Sequence, residues 1–316
     1  MPSKREQLAR WSTLVADTGE LNMIRDLKPE DATTNPSLLL AVARDTNYAH
    51  LLDDARREAA TDADIGLLCD TFATLTGRLI TEAVPGLVST EVDARLSFDT
   101  GATIERARRL ARLYRELGVE RDRFLIKIAG TWEGIRATEV LELEGIRCNV
   151  TLIFSETQAL AAAQAGATLI SPFVGRIYDW HVKHGTPINT PEDDPGVQSV
   201  RRIFSTFKAL GMDTIVMGAS FRNTAQIEAL AGCDRLTISP TLLNQLHADQ
   251  GALTRVLDAT EVEGIDELPE VSEAAFRWAI NHDPMASDLL ADGIRRFAAD
   301  QESLETLLNQ GARATD

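Results

Sequence analysis

Cysteine is almost missing from this chain: Cys69, Cys148 and Cys233 are the only three in 316 residues. An odd number at wide spacing forms no disulfide framework and supplies no CxxC metal site, so all three read as small core residues. Positive charge is also short, the formal net charge being −16. Nucleic acid and acidic membranes are polyanions, so neither is expected as a partner, although a few clustered arginines would suffice for a small anion. Nowhere do about 18 apolar residues run uninterrupted. The opening MPSKREQLAR lacks the apolar stretch of a signal peptide, which makes the cytoplasm the expected compartment. No GxGxxG, P-loop, GxSxG or Ser/His/Asp set stands out, and His181 and His184 have no third ligand in register, so no metal is expected there. No repeat, low-complexity tract or linker divides the sequence, and a single domain over residues 1–316 is expected.

What the chain does have is alternation. Short apolar, β-branched runs fall at residues 13–17, 32–35, 87–93, 124–129, 146–153, 168–173, 214–219 and 235–239. Longer amphipathic stretches separate them, the pattern of parallel strands covered by helices. In residues 103–117, Ile104, Ala107, Leu110, Ala111, Tyr114 and Leu117 share one helical face before Gly118 supplies a stop. Residues 133–143, 156–165 and 197–210 behave alike, closed by Gly145, Gly166 and Gly211. The eight units predict an α/β chain folded as a closed (β/α)8 barrel, with a helix near residues 5–9 in front and helical additions after Val271. An open doubly wound sheet is the alternative, but its first strand would lead into a Gly-rich nucleotide turn. Here that strand ends Asp17-Thr18-Gly19. The Pro- and acid-rich residues 186–196 are expected to form a long βα loop, a candidate lid.

Nearly every predicted strand carries a polar residue near its C-terminal end: Asp17, Asn35, Glu91, Lys127, Asn149 with Thr151, Ser171 and Ser220. In a barrel these ends converge on one mouth. Only five of the 32 basic residues are lysines, and only Lys127 lies inside a strongly apolar run, FLIKIA. Arginine cannot deprotonate, whereas a desolvated lysine becomes a nucleophilic amine toward carbonyls. A buried structural ion pair of Lys127 with Glu91 or Asp17 is the competing reading, and composition alone leaves the two level. Period-two geometry puts Ser89, Glu91 and Asp93 on one face. A carboxylate beside the amine carries the proton transfers that Schiff-base formation needs, and either Glu91 or Asp93 fits. Asp17 suits a base for a substrate hydroxyl and equally a helix N-cap. Asn149 and Thr151 share parity and suit hydroxyls or a water. Arg176 behind Gly175, and Ser220 with Arg222 behind Gly218, sit after adjacent late strands, where barrels bind phosphate.

Eight segments together resemble those of transaldolases, in the family's order along most of the chain: VADTG (15–19), DATTNPSL (31–38), STEVDARLS (89–97), LIKIAGTWEGI (125–135), CNVTLIFS (148–155), ISPFVGR (170–176), VMGASFRN (216–223) and GCDRLTISP (232–240). The resemblance implies an enzyme of the pentose phosphate pathway that moves a dihydroxyacetone unit from sedoheptulose 7-phosphate to glyceraldehyde 3-phosphate. The products would be erythrose 4-phosphate and fructose 6-phosphate, made by a homodimer without metal or organic cofactor. It also implies Lys127 as the Schiff-base lysine, Glu91 and Thr151 as holders of a proton-relaying water, and Asp17 as acid/base at the C4 hydroxyl. Asn35, Asn149 and Ser171 would bind the dihydroxyacetone unit, and Arg176, Ser220 and Arg222 the phosphate. Gly130 departs from the pattern, since transaldolases of this length commonly have serine there, and altered loop hydrogen bonding is expected. Fructose 6-phosphate aldolases are the rival in chemistry, but those relatives have glutamine where this chain has Glu91 and tyrosine where it has Phe173. A phosphosugar-binding barrel without catalysis is the rival of another class, and the set Asp17, Glu91, Lys127 and Thr151 argues against it. A pyridoxal-phosphate lysine would announce itself by a visible absorption band.

Overall fold

A computed structural model describes residues 2–59, 64–265 and 269–312. Eight parallel strands close into a barrel in sequence order: β1 (Thr13–Asp17), β2 (Asp31–Thr33), β3 (Val88–Glu91), β4 (Phe124–Ala129), β5 (Cys148–Ile153), β6 (Leu169–Pro172), β7 (Ile215–Gly218) and β8 (Arg235–Ile238). Closure comes from β8 pairing back onto β1, with Thr13 opposite Arg235. Helices cover the outside, so the strands are buried on both faces and consist mainly of apolar and β-branched residues, with polar ones turned to the lumen.

Five expected strand ends fall short, those of β2 and β3 by two residues. Asn35 lies beyond β2 and caps the helix Pro36–Arg44, its side chain accepting from Leu38 N at 3.0 Å. Asp93 lies beyond β3 and caps the short 3-10 turn Ala94–Leu96. The expected helices form, most of them with their boundaries shifted by a few residues, as Thr100–Glu116, Trp132–Leu143, Glu156–Gln164 and Pro195–Ala209. Asp99, Thr131, Ser155 and Asp194 cap them and satisfy amides that their first turns leave free. Residues 186–196 do not follow a strand directly. They join the helix Gly175–Lys183 to the helix Pro195–Ala209, and their far end is pinned where Gln226 Nε2 donates to Asp194 Oδ2 at 2.7 Å.

Inside the barrel, side chains stack in layers with period two. Arg235 and Asp31 form an ion pair at the N-terminal end. Val15, Leu87, Leu125, Leu169 and Met217 cluster above them as an apolar plug. Two residues further along four of these five strands the lining turns polar, giving Asp17, Ser89, Lys127 and Ser171, while β7 presents Ala219. The helix Lys4–Leu8 precedes the barrel, and the helices Glu273–His282 and Pro284–Ala312 follow it. The last of these crosses the C-terminal mouth. Gly293 packs on Leu152, Asp300 accepts from Ser37 Oγ, and Glu305 pairs with Arg95. Leu304 and Leu308 are buried in the outer core, each worth about 1.5–3 kcal/mol against exposure. Among the described residues no helix is long and apolar enough to cross a membrane.

Candidate active site

Lys127 sits one layer above the apolar plug, level with Glu91 of β3 on one side and Asn149 of β5 on the other. Its Nζ lies 3.2 Å from Glu91 Oε2 and donates to Thr34 O at 3.3 Å. All these side chains are buried, so the ion pair that sequence allowed as a rival reading is present. It is not a well-satisfied structural pair, however. Glu91 Oε2 has only this one contact, with Lys127 Nζ and off the hydrogen-bonding angle, while Thr151 Oγ1 and Arg176 Nη1 are buried polar atoms without a hydrogen-bonding partner among the described residues. A pair kept only for structure would have its lone pairs filled, because an unmet buried polar atom costs on the order of 1–3 kcal/mol.

Burial raises the carboxyls of both Glu91 and Asp17 above the ordinary range, and the nearby Lys127 pulls each partly back. Asp17 also accepts from Thr33 Oγ1 at 3.1 Å, and Thr33 Oγ1 in turn meets Thr237 Oγ1 at 2.8 Å. Two dehydrated carboxyls this close together cannot both be charged cheaply, so burial favours the protonated form of each. Asp17 does not cap the following helix, whose N-cap is Glu20. Asp93 is withdrawn from candidacy as the acid. Burial raises its carboxyl, but hydrogen bonds from the Arg95 side chain and backbone outweigh this and hold it below the usual range.

On the other side of Lys127, Asn149 Nδ2 donates to Ser89 Oγ at 3.1 Å and its Oδ1 accepts from Ser171 Oγ at 2.7 Å. This fixes the amide orientation of Asn149. Thr151 is placed by a distortion of β5, where the register with β6 shifts after Val150 and Leu152 takes a left-handed φ of 56°. Asn35 faces the same cavity as Asp17, Lys127 and Ser171, with its Oδ1 spent on the helix cap.

Arg176 and Ser220 line that cavity too. Burial lowers the Arg176 guanidinium from its usual range, and its Cζ lies 4.9 Å from the Phe173 ring centroid and 5.4 Å from that of Phe297. Arg222 donates from Nη1 to Ser220 O at 3.2 Å and is held by Asp179, with Nη2 to Oδ2 at 2.7 Å. Gly175 makes this approach possible, since a Cβ there would stand 2.1 Å from Ser220 O and 2.8 Å from Arg222 Nη1. The predicted residues thus gather at one mouth, with Asp17, Asn35, Lys127, Ser171, Arg176 and Ser220 on the cavity surface and Glu91, Asn149, Thr151 and Arg222 behind or beside it. Sequence reasoning missed Thr33, Thr237 and Phe297. The parity that selected Asp17 and Lys127 could have found the two threonines.

A larger cavity of about 840 Å³ opens at the N-terminal end of the barrel, against about 70 Å³ for the Lys127 cavity. Its lining is mixed in charge and partly self-neutralised by the Arg235–Asp31 pair, and it lacks a convergent nucleophile and base. Size alone does not locate chemistry. The cysteines carry none either, as burial pushes Cys69 and Cys233 up to about 12 and Cys148 well above its usual value. No cluster of three or more His, Cys, Asp or Glu side chains suited to a metal occurs among the described residues.

Residues 14–308 match the sequence profile of the family described as Transaldolase/Fructose-6-phosphate aldolase. A transaldolase of Marinobacter nauticus is 57% identical over 320 aligned residues, covering 99% of this chain and 100% of the relative. A transaldolase of Stutzerimonas stutzeri is 56% identical over 312, covering 98% and 99%. With a closed eight-stranded barrel, a buried lysine at its mouth and full-length likeness to these proteins, the chain belongs to the transaldolase/fructose-6-phosphate aldolase family.

Proposed function

We infer that this protein is a transaldolase, transferring a dihydroxyacetone unit between sugar phosphates through a Schiff base on Lys127. The observation that carries the reading is the buried contact of Lys127 Nζ with Glu91 Oε2 beside Asp17, in a cavity that Arg176 and Ser220 also line. The neutral amine attacks the C2 carbonyl of the ketose phosphate. Glu91 supplies the proton with which the carbinolamine hydroxyl leaves as water, and the unpartnered Thr151 Oγ1 together with the Glu91 carboxyl can hold a relaying water. Asp17 then takes the C4 hydroxyl proton while the C3–C4 bond breaks, its electron pair flowing into the iminium to give an enamine. An aldose phosphate departs. The enamine C3 attacks the acceptor aldehyde, Asp17 returns its proton, and water releases the new ketose with Glu91 reversing its part.

Asn35, Asn149 and Ser171 orient the hydroxyls of the three-carbon unit, while Arg176, Ser220 and Arg222 hold the phosphate. Transfer requires the enamine to outlast the interval between donor and acceptor. Phe173, buried on the wall of the cavity, offers it no proton. The reaction places the enzyme in the pentose phosphate pathway, and we assign it to the cytoplasm as a homodimer acting through one domain per chain. Sedimentation at twice 34.6 kDa would support the dimer, and at the single mass would refute it. For the activity itself, consumption of fructose 6-phosphate is expected to depend on an added aldehyde acceptor such as erythrose 4-phosphate. Predominant release of free dihydroxyacetone without acceptor would instead assign the chain to aldolase chemistry.

A further inference from the structure

Arg176 lines the cavity, Arg222 leans on Ser220 beside it, and a third arginine, Arg296, stands near enough for its charge to act on Arg176. The C-terminal helix Pro284–Ala312 runs antiparallel to the helix Gly175–Lys183. Trp180 Nε1 donates to Asp288 Oδ2 at 3.0 Å, and one turn earlier Arg176 Nη1 lies 3.2 Å from where a Gly293 Cβ would be, with its guanidinium 5.4 Å from the Phe297 ring. At 100° per residue, positions 293, 297 and 300 form the helix face turned to the mouth, and 296 stands on its edge between that face and 292. Arg296 therefore leaves the helix at the edge of its mouth-facing side, within reach of the Arg176 charge. There it is held by Asp292, Nε to Oδ2 at 2.7 Å, in an exposed pair. Arg222 has the same arrangement with Asp179. Arg176 has no acidic partner among the described residues, and its Nη1 is buried without a hydrogen bond. After burial, the charges of Arg296 and Arg222 weigh most on the Arg176 guanidinium, in that order.

We propose that Arg296 is a third phosphate-binding cation of this site, which Asp292 holds at the rim until the phosphate of a sugar substrate takes the carboxylate's place. This rests on the reading of Arg176, Ser220 and Arg222 as the phosphate site. Asp179 and Asp292 act as stand-in anions that keep two arginines from repelling Arg176 when no phosphate is bound. A dianionic phosphate outcompetes a single exposed carboxylate because it brings more charge and more acceptor oxygens to all three guanidinium groups. Arg296 is a specificity-determining residue, and acts only on substrates that carry the phosphate.

The test is inhibition by inorganic phosphate together with the ratio of KM for fructose 6-phosphate to that for dihydroxyacetone. In Arg296→Ala both the inhibition constant for phosphate and the KM ratio should rise about five- to tenfold, as expected for one partly exposed charge-assisted contact. In Asp292→Asn the inhibition constant should fall, since Arg296 is released without being removed. A merely structural role for the 292–296 pair would move both variants the same way. If neither variant shifts the inhibition constant while Arg222→Ala raises it, Arg296 has no part in a phosphate site that otherwise stands. If Arg222→Ala and Arg176→Ala are also without effect, the phosphate site itself is misplaced.

Discussion

Asp17 illustrates what a catalytic carboxyl costs the fold. Its dehydration raises the folded-state pKa above the unfolded value of about 3.9, and Lys127 and Thr33 offset this only in part. The native state then holds its proton more tightly than the unfolded chain. The destabilisation is absent below about pH 4, grows as pH rises toward the raised value and is complete above it. Asp17→Asn should therefore abolish turnover yet raise Tm at about pH 8, with the gain fading toward about pH 4. A gain that is largest at low pH would contradict this assignment, and melting curves across pH decide it. Residues of this kind were legible in sequence when their type was improbable for their place. A lysine within FLIKIA needs an explanation, whereas Thr33 and Thr237 look like ordinary strand threonines. Phe297 reaches the cavity from a helix remote in sequence, and no local pattern announces that. Asp93 misled because parity holds only while a strand lasts, and β3 ends at Glu91.

At the scale of elements, β4, β5 and the helix after β5 are tied together by one side chain. Gln158 is fully buried. Its Nε2 donates to Gly130 O at 2.7 Å and to Leu152 O at 3.0 Å, and its Oε1 accepts from Phe154 N at 2.9 Å. The left-handed Leu152 between Thr151 and Ile153 persists because these bonds satisfy the backbone on either side. Gln158→Ala strands three buried backbone groups and should destabilise the fold by about 3 kcal/mol in urea titrations. It should also lower kcat through displaced Thr151, and unchanged kcat would show that the distortion does not position that hydroxyl. Gly130 belongs to the same cluster. A Cβ there would meet Ile153 Cδ1 at 2.7 Å and Thr151 O at 3.1 Å. A side chain there would need the movable tip of Ile153 to shift and the Thr151 carbonyl and Gln158 Nε2 to give slightly. The helix Ile65–Ala83 was poorly legible because its threonines suggest a strand. Thr71, Thr74 and Thr76 instead bond back to the carbonyls of Leu67, Asp70 and Phe72 within the helix.

For the whole molecule, the barrel was readable because eight apolar β-branched runs alternate with amphipathic stretches, and eight is the number that closes. The convergence of Asp17, Glu91, Lys127 and Ser171 follows from that closure together with period-two lining above the apolar plug. The path of the C-terminal helix over the mouth was not readable, because its contacts with Ser37, Arg95 and Leu152 join distant parts of the chain. The central claim is covalent, and borohydride reduction in the presence of fructose 6-phosphate tests it most directly. Mass analysis should find one reduced dihydroxyacetone adduct, on the peptide containing Lys127, and none in Lys127→Ala. An unmodified Lys127, or trapping that persists in the alanine variant, would contradict the account.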